Sequence, residues 1–385
     1  MTSISPDIQI NRCPLKVVWY HKVIPLGGAE TVTIDLATFL SLRFPHIEPI
    51  ILTSELTATI PGITTYELSK ELTPDTPNGR RAIIDLLKQI KASVFIQVVD
   101  APQGWLTELR KAMPELKILF HLHSIPLWQV KDKCSGHLSR IIREKLFHTI
   151  SKRIIERYRE DYAASDYWIA LCKPYTDILR QRLGNRVITM YNPIDVDRFL
   201  PLRELTKQKE VLYLGRLTKS DKRVDRILAS WRSLHKSHPD WRLKIVGKGP
   251  DEARLQHLAK KYKLTNIEFC GHSHKPEEHY ATAAIVCMTS EFEGWPLVLI
   301  EAATSGAKVL AMECSAGIAE MRKKIDITTV KAGGQRAFTK QLKRLIVETD
   351  SNSITKIAPP SPFLLQLDKQ HIASQWAVFF ENLAN

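Results

Sequence analysis

The chain has 385 residues, 44% of them hydrophobic and 25% charged, a length for two domains of ordinary size and the make-up of a soluble globular protein. Its apolar runs fall short of the ~20 residues that a membrane-spanning helix needs, so none is expected. Six scattered cysteines, with no Cys-x-x-Cys and no Cys/His ligand spacing, suggest neither a zinc site nor a disulfide framework.

The formal net charge of +14 is shared between the halves. Residues 1–195 carry 25 Lys/Arg and 20 Asp/Glu, and residues 196–385 carry 30 and 21. Both halves therefore attract anions, which fits phosphorylated substrates, anionic lipid or nucleic acid. The N-terminus, MTSISPDIQINRCPLK, lacks a positive cap followed by an apolar core, so a cytosolic chain is expected.

Lys16–Tyr20 reads as a first strand, followed by Gly27-Gly28-Ala29-Glu30 and a periodic helix over Thr31–Phe44. A Gly-Gly turn between strand and helix lets backbone approach an anionic or sugar ligand, although the third glycine of a dinucleotide fingerprint is missing. Glu48–Thr53, Ala82–Ile90, Val94–Val99 and Lys117–Leu122 continue a βαβ rhythm, with Asp100 at another strand end. His121 and His123 close the last of these strands and point the same way while it lasts, with no third metal ligand nearby. Ser139–Tyr162 reads as a long basic helix, either solvated over the sheet or resting on anionic lipid headgroups. Strands at Tyr167–Ala170 and Val187–Met190 lead to Asn192-Pro193, which breaks the pattern, and Asp197–Glu210 reads as a linker.

A second βαβ series then begins. Val211–Leu214 is a strand that runs into Gly215-Arg216-Leu217 and on through Lys222 to a helix ending at Leu234. Gly215 lets the backbone bend, Arg216 can grip a phosphate with two parallel hydrogen bonds, and Lys222 adds a point charge. Leu243–Val246 enters Gly247-Lys248-Gly249, and Ile267–His272 follows. The strand Ala283–Thr289 then leads into Ser290–Gly306, SEFEGWPLVLIEAATSG, where Pro296 and Gly306 bracket a short helix before the strand Ala307–Met312. Glu293 falls in the turn and Glu301 about one turn into the helix. Helix N-termini at the carboxyl ends of parallel strands attract anions, while carboxylates accept hydrogen bonds from sugar hydroxyls. Two carboxylates beside an anion site suit a ligand with phosphate and polyol groups, a nucleotide sugar. The tail Gln370–Leu383 reads as a final helix.

Glu293 and Glu301, with Ala302 and Ser305-Gly306, resemble the two-glutamate signature of retaining glycosyltransferases of family 4. Gly-Gly-Ala-Glu after the first strand, Asn-Pro-Ile-Asp at 192–195, Gly-Arg-Leu…Lys at 215–222 and Gly-Lys-Gly at 247–249 match that family in order. The resemblance implies a GT-B fold: α/β, two Rossmann-like domains with parallel sheets facing across a cleft, and a C-terminal helix returning to the first domain. It divides the chain into an acceptor-binding domain at 1–195, a nucleotide-sugar domain at 196–365, and the helix at 366–385.

The same resemblance implies transfer of a hexose-type sugar, with retention, from a nucleotide diphosphate sugar (UDP by family habit) to a saccharide hydroxyl. Catalytic roles fall on Arg216, Lys222, Glu293 and His123, with His121 the alternate histidine. Arg216 and Lys222 would neutralise the leaving diphosphate, so no metal and no cofactor is expected. Donor binding falls on Gly27, Gly28, Gly215, Gly294, Trp295, Pro296, Leu297 and Glu301, with Glu301 on the ribose and Glu293 on the donor sugar. Gly294-Trp295-Pro296 and Lys222–Arg226 are most similar to enzymes of bacterial lipopolysaccharide and surface polysaccharide. The basic surface agrees with a lipid-linked acceptor and with peripheral contact at the anionic inner face of the cytoplasmic membrane. The alternatives are a phosphorylase or epimerase on the same fold, a non-catalytic sugar-nucleotide binder, and, from charge alone, a nucleic-acid binder, which no motif supports. Asp100 carries no assigned role.

Overall fold

A computed structural model describes residues 14–24, 27–129, 140–351 and 359–384; the side chains of 140–149 lie outside the description. Apolar runs of strand length give two parallel sheets. The first is built from β1 (Leu15–Ile24), β2 (Ile47–Leu56), β3 (Thr64–Glu67), β4 (Val94–Val98), β5 (Lys117–Leu122), β6 (Tyr167–Ala170) and β7 (Val187–Thr189), in the order β3-β2-β1-β4-β5-β6-β7. β1 pairs in parallel with both β2 and β4, and all five residues of β4 are buried. Continuous burial, rather than alternation, is what a parallel sheet covered on both faces requires. The second sheet takes β8 (Gln208–Leu214), β9 (Arg242–Val246), β10 (Ile267–Gly271), β11 (Ala283–Met288), β12 (Lys308–Glu313) and β13 (Thr328–Lys331) in the order β10-β9-β8-β11-β12-β13.

The chain forms two compact units. One comprises the described residues up to His121, Arg159–Trp168 and those from Ala373 on; the other comprises Leu122–Tyr158 and Ile169–Ile372, where described. In the first unit Phe120 stacks on Trp168 at 4.2 Å and Trp19 meets Phe380 edge-on at 5.9 Å. Trp376 and Phe380, from the helix Lys369–Ala384, are buried there. In the second unit Trp231 and Trp241 are fully buried, and each indole N–H has a partner: the Thr265 carbonyl at 3.3 Å and the Asp350 carboxylate at 3.1 Å. A buried indole without such a partner would lose a hydrogen bond to water.

His21 and His121 are buried in the first unit, and burial depresses their pKa values to about 4 and about 3. Both are neutral in the native state, whereas in the unfolded chain they protonate near pH 6.5. The unfolded state therefore binds more protons below that pH, and stability falls as pH drops from about 6.5 toward about 4. The expected slope is at most ~1.4 kcal/mol per pH unit for each histidine. Urea midpoints at pH 7.5 and 5.0 check this, and a His121→Phe chain should show the shallower pH dependence.

One expectation is corrected. Asp197–Glu210 is not a linker: it forms a helix Val196–Phe199, a 3-10 turn Leu200–Glu204 and the first residues of β8. Its polar residues have structural partners. Asp195 caps the short helix, Arg203 donates to the carbonyls of Ala303 and Thr304, and Lys207 donates to the Tyr280 carbonyl at 2.8 Å. Glu210, 1% exposed, pairs with Lys244 at 2.9 Å. The long basic helix is present as Arg140–Ala164, with Ile154 and Tyr158 buried and Lys152, Arg153 and Arg159 exposed. Its expected first residue, Ser139, and the side chains of Arg140, Arg143 and Lys145 lie outside the description. Among the described residues no helix is long and apolar enough to cross a membrane.

Candidate active site

The strand order of the second sheet reverses between β8 and β11. In open α/β sheets ligands bind outside the carboxyl ends of the strands at that reversal. The loops leaving these two strands, Gly215–Arg223 and Thr289–Pro296, hold the charged residues singled out in the sequence. The floor beside them is tight: the Gly215 N–H donates to the Val246 carbonyl at 2.9 Å, and the Gly247 N–H to the Gly271 carbonyl at 2.7 Å. Gly247 has φ +139°, and a Cβ there would lie 1.9 Å from the Gly215 carbonyl oxygen. Only glycine fits this close approach.

The two loops are tied together by charge. Lys222 Nζ lies 2.7 Å from Glu293 Oε1, which also accepts from the Ser290 hydroxyl at 2.6 Å. Behind this pair, Arg226 reaches Glu291 at 2.6 Å, and the Thr289 hydroxyl donates to the Arg223 carbonyl at 2.9 Å. Arg223 has φ +51°, which turns the chain from the loop into the helix Val224–Arg232. Arg216 is exposed at the end of β8, and its carbonyl accepts from the Tyr213 hydroxyl at 2.8 Å. Among the described residues its guanidinium has no ion-pair partner.

The Glu293-Gly294 turn is clamped through its backbone. The Tyr175 hydroxyl donates to the Gly294 carbonyl at 3.0 Å and accepts from the Gly317 N–H at 3.3 Å. A Cβ on Gly317 would meet the Gly294 oxygen at 2.5 Å, and one on Gly294 would meet the His123 oxygen and Ser124 Cα at 3.1 Å. Three backbone segments are thus in contact at Gly294, with His123 in one of them. His121 is buried within β5, its ring 5.4 Å from Trp376, whereas β5 ends at Leu122 and His123 is partly exposed beyond it. Trp295 is buried, its ring 5.1 Å from Tyr191, whose hydroxyl lies 2.7 Å from Glu320 and 2.9 Å from Lys324.

The central helix runs Leu297–Thr304, with Pro296 as its N-cap rather than its first residue and Gly306 at φ +82° past its end. Leu299 and Ile300 anchor it in the core, while Leu297 and Val298 are partly exposed. No side chain caps its N-terminus, so the first N–H groups are available to an anion. Glu301 Oε2 accepts from the hydroxyl of Tyr280, which is fully buried, at 2.8 Å. Burial and the Glu301 charge hold the Tyr280 phenol well above its ordinary pKa, so it remains a donor. Sequence reading passed over Tyr175, Tyr280 and Gly317, because each acts through one hydroxyl or one missing Cβ and belongs to no motif, and it gave Ser290, which opens the central stretch, no role.

The remaining candidates lie in the first unit. Gly27 caps the helix Gly28–Arg43 in an extended conformation, and a Cβ on Gly28 would meet nothing within 4 Å. The preceding Pro25 and Leu26 lie outside the description. Gly27 follows β1 and Asp100 follows β4, so both stand at the strand-order reversal of their own sheet. Val99 has φ +69°, a conformation that a β-branched residue rarely adopts; the Gln97 amide secures the bend by donating to the Asp100 carbonyl at 2.7 Å. Among the described residues no group of three His, Cys, Asp or Glu side chains could hold a metal ion. A cavity of about 500 Å³, lined by Arg203, Lys308, Asp326 and Arg344, opens where β12 and β13 begin, at the opposite strand ends from these loops.

Residues 199–356 match the family described as "Glycosyl transferases group 1", so this part of the chain carries a group 1 glycosyl transferase domain. Over 141 residues, 36% of this chain, the protein is 40% identical to the amylovoran biosynthesis glycosyltransferase AmsD of Erwinia amylovora. The matches span 38–39% of the first relatives' own lengths. Among solved structures, a glycosyltransferase from Rickettsia africae aligns over 96% of this chain and 98% of its own, with a TM-score of 0.72 and 14% identity. Anabaena Alr3699/HepE, solved with UDP and glucose, aligns over 96% of this chain and 100% of its own, with a TM-score of 0.70 and 16% identity. These likenesses show the fold: two sheets of parallel strands with flanking helices, the GT-B architecture.

Proposed function

We propose that this protein is a retaining, metal-independent glycosyltransferase of bacterial surface-glycan assembly. It moves a hexose-type sugar from a UDP-linked donor to a hydroxyl of a saccharide acceptor. The observation that carries this reading is the 2.7 Å Lys222–Glu293 pair where the β8 and β11 loops meet. A cation for the diphosphate and a carboxylate for sugar hydroxyls are side by side there, and Glu301 stands about one turn into the helix that follows. The identity to a polysaccharide-assembly enzyme and the UDP-bound fold neighbour support the substrate class.

Arg216 and Lys222 offset the negative charge that grows on the leaving diphosphate, while the uncapped N–H groups at Leu297 and Val298 donate to its oxygens. Glu293 holds the donor sugar, Glu301 the ribose, and His123 the far side of the sugar. A leaving-phosphate oxygen takes the acceptor proton as the new bond forms on the same face, so no side chain is needed as the base. The acceptor is lipid-linked, and the basic helix Arg140–Ala164 rests on anionic headgroups.

The test is a thermal-shift and turnover screen of UDP-glucose, UDP-galactose, UDP-GlcNAc, UDP-GalNAc and GDP-mannose, with and without EDTA. One UDP-sugar should stabilise the protein and be consumed equally in EDTA, and Arg216→Ala should abolish the shift. If no sugar nucleotide binds or is consumed, this function is wrong.

A further inference from the structure

Glu301 lies on the helix Leu297–Thr304, partly exposed, with one carboxylate oxygen held by Tyr280. The tyrosine is itself immobile. It lies in the last turn of the helix Pro276–Thr282, which leads directly into β11, is fully buried, and packs edge-on against Phe199 at 5.6 Å between ring centroids. Lys207 holds its backbone carbonyl at 2.8 Å. The helix that carries Glu301 is pinned at its other end by Arg203, which donates to the Ala303 and Thr304 carbonyls. Glu301 is therefore fixed in position by its helix, and one of its carboxylate oxygens is held by the Tyr280 phenol. A vicinal diol is recognised well only by a carboxylate whose plane is set in advance, because two hydrogen bonds must form together.

We propose that Tyr280 is a positioning residue that makes the site selective for a ribose over a 2′-deoxyribose in the donor nucleotide. It acts by fixing the plane of the Glu301 carboxylate. The inference rests on the reading of Glu301 as the ribose ligand. Tyr280 touches no substrate atom in this arrangement: its hydroxyl lies beneath the carboxylate, and the ligand approaches from the exposed side. Because the phenol keeps its proton throughout the neutral range, the orienting bond does not switch with pH.

The experiment compares kcat/KM for the UDP-sugar identified in the screen and for its 2′-deoxyuridine analogue, in the wild type and in Tyr280→Phe. The ratio of the two constants within one protein is independent of how much of the sample is folded, so a merely structural defect leaves it unchanged. The wild type should favour the ribose donor by about tenfold or more, the worth of one hydrogen bond to a charged group. In Tyr280→Phe the preference should shrink at least fivefold, through the KM of the ribose donor, with kcat little changed. Should Tyr280→Phe fail to fold, Tyr280→Met removes the same hydroxyl with a flexible apolar filler. A wild type that uses both donors equally overturns the Glu301 reading itself. A wild-type preference that survives intact in the folded variant overturns the role of Tyr280 alone.

Discussion

Lys222→Met lowers kcat of sugar transfer by ~10²–10³-fold, the loss expected when one preorganised charge at a developing anion is removed. Two effects add. The leaving diphosphate loses its fixed cation, and Glu293, with its side chain 12% exposed, keeps only the Ser290 hydroxyl on an oxygen that held both. An unpaired carboxylate at that depth repels the incoming diphosphate. Lys222→Arg should recover little, because a planar guanidinium cannot occupy the point that an ammonium fills 2.7 Å from Glu293. Steady-state kinetics with the donor found in the screen checks this. A Lys222→Met enzyme within threefold of the wild type in kcat would remove lysine from the reaction.

The second large effect comes from one methyl group with no charge. Gly317→Ala places a Cβ 2.5 Å from the Gly294 carbonyl oxygen, and both sides of that contact are backbone, so the turn must move. Displacement of the Glu293-Gly294 peptide pulls the carboxylate out of register with the donor, and misplacement of about 1 Å costs ~10²-fold in rate. Stability changes less, because the helix preference offsets part of the cost of the clash. Gly317 is the second residue of the helix Ala316–Lys324, where alanine is favoured over glycine by up to ~1 kcal/mol. Melting temperature and kcat/KM should therefore part company, with the first changing by a few degrees and the second collapsing. Full activity in Gly317→Ala would show that the turn tolerates the shift.

The sheet strands and the two glutamates were legible because they follow short-range rules. Continuous apolar runs mark doubly covered strands, and a glutamate in a Gly-Trp-Pro turn cannot serve as an ordinary helix residue. The clamp on Gly294 was not legible. Tyr175 lies 119 residues from its acceptor and Gly317 lies 142 from Tyr175, and no local pattern encodes such distances. Asp197–Glu210 misled for the opposite reason. Its charges suggest solvent, yet Arg203, Lys207 and Glu210 all spend theirs on buried carbonyls and ions of the same unit. The histidine pair was half legible: alternation holds within a strand, and β5 stops between the two residues.

Arg203 also fixes where this part of the chain can be cut. A fragment begun at β8, where the sheet starts, would include every charged residue proposed for the donor. It would lack the guanidinium on the last carbonyls of the Glu301 helix and the Phe199 ring beside Tyr280. Its donor-facing helix would fray at one end and its tyrosine would lean on solvent. A fragment that keeps both contacts, with the helix Val196–Phe199 intact, must begin no later than Val196, twelve residues ahead of the first strand of its sheet.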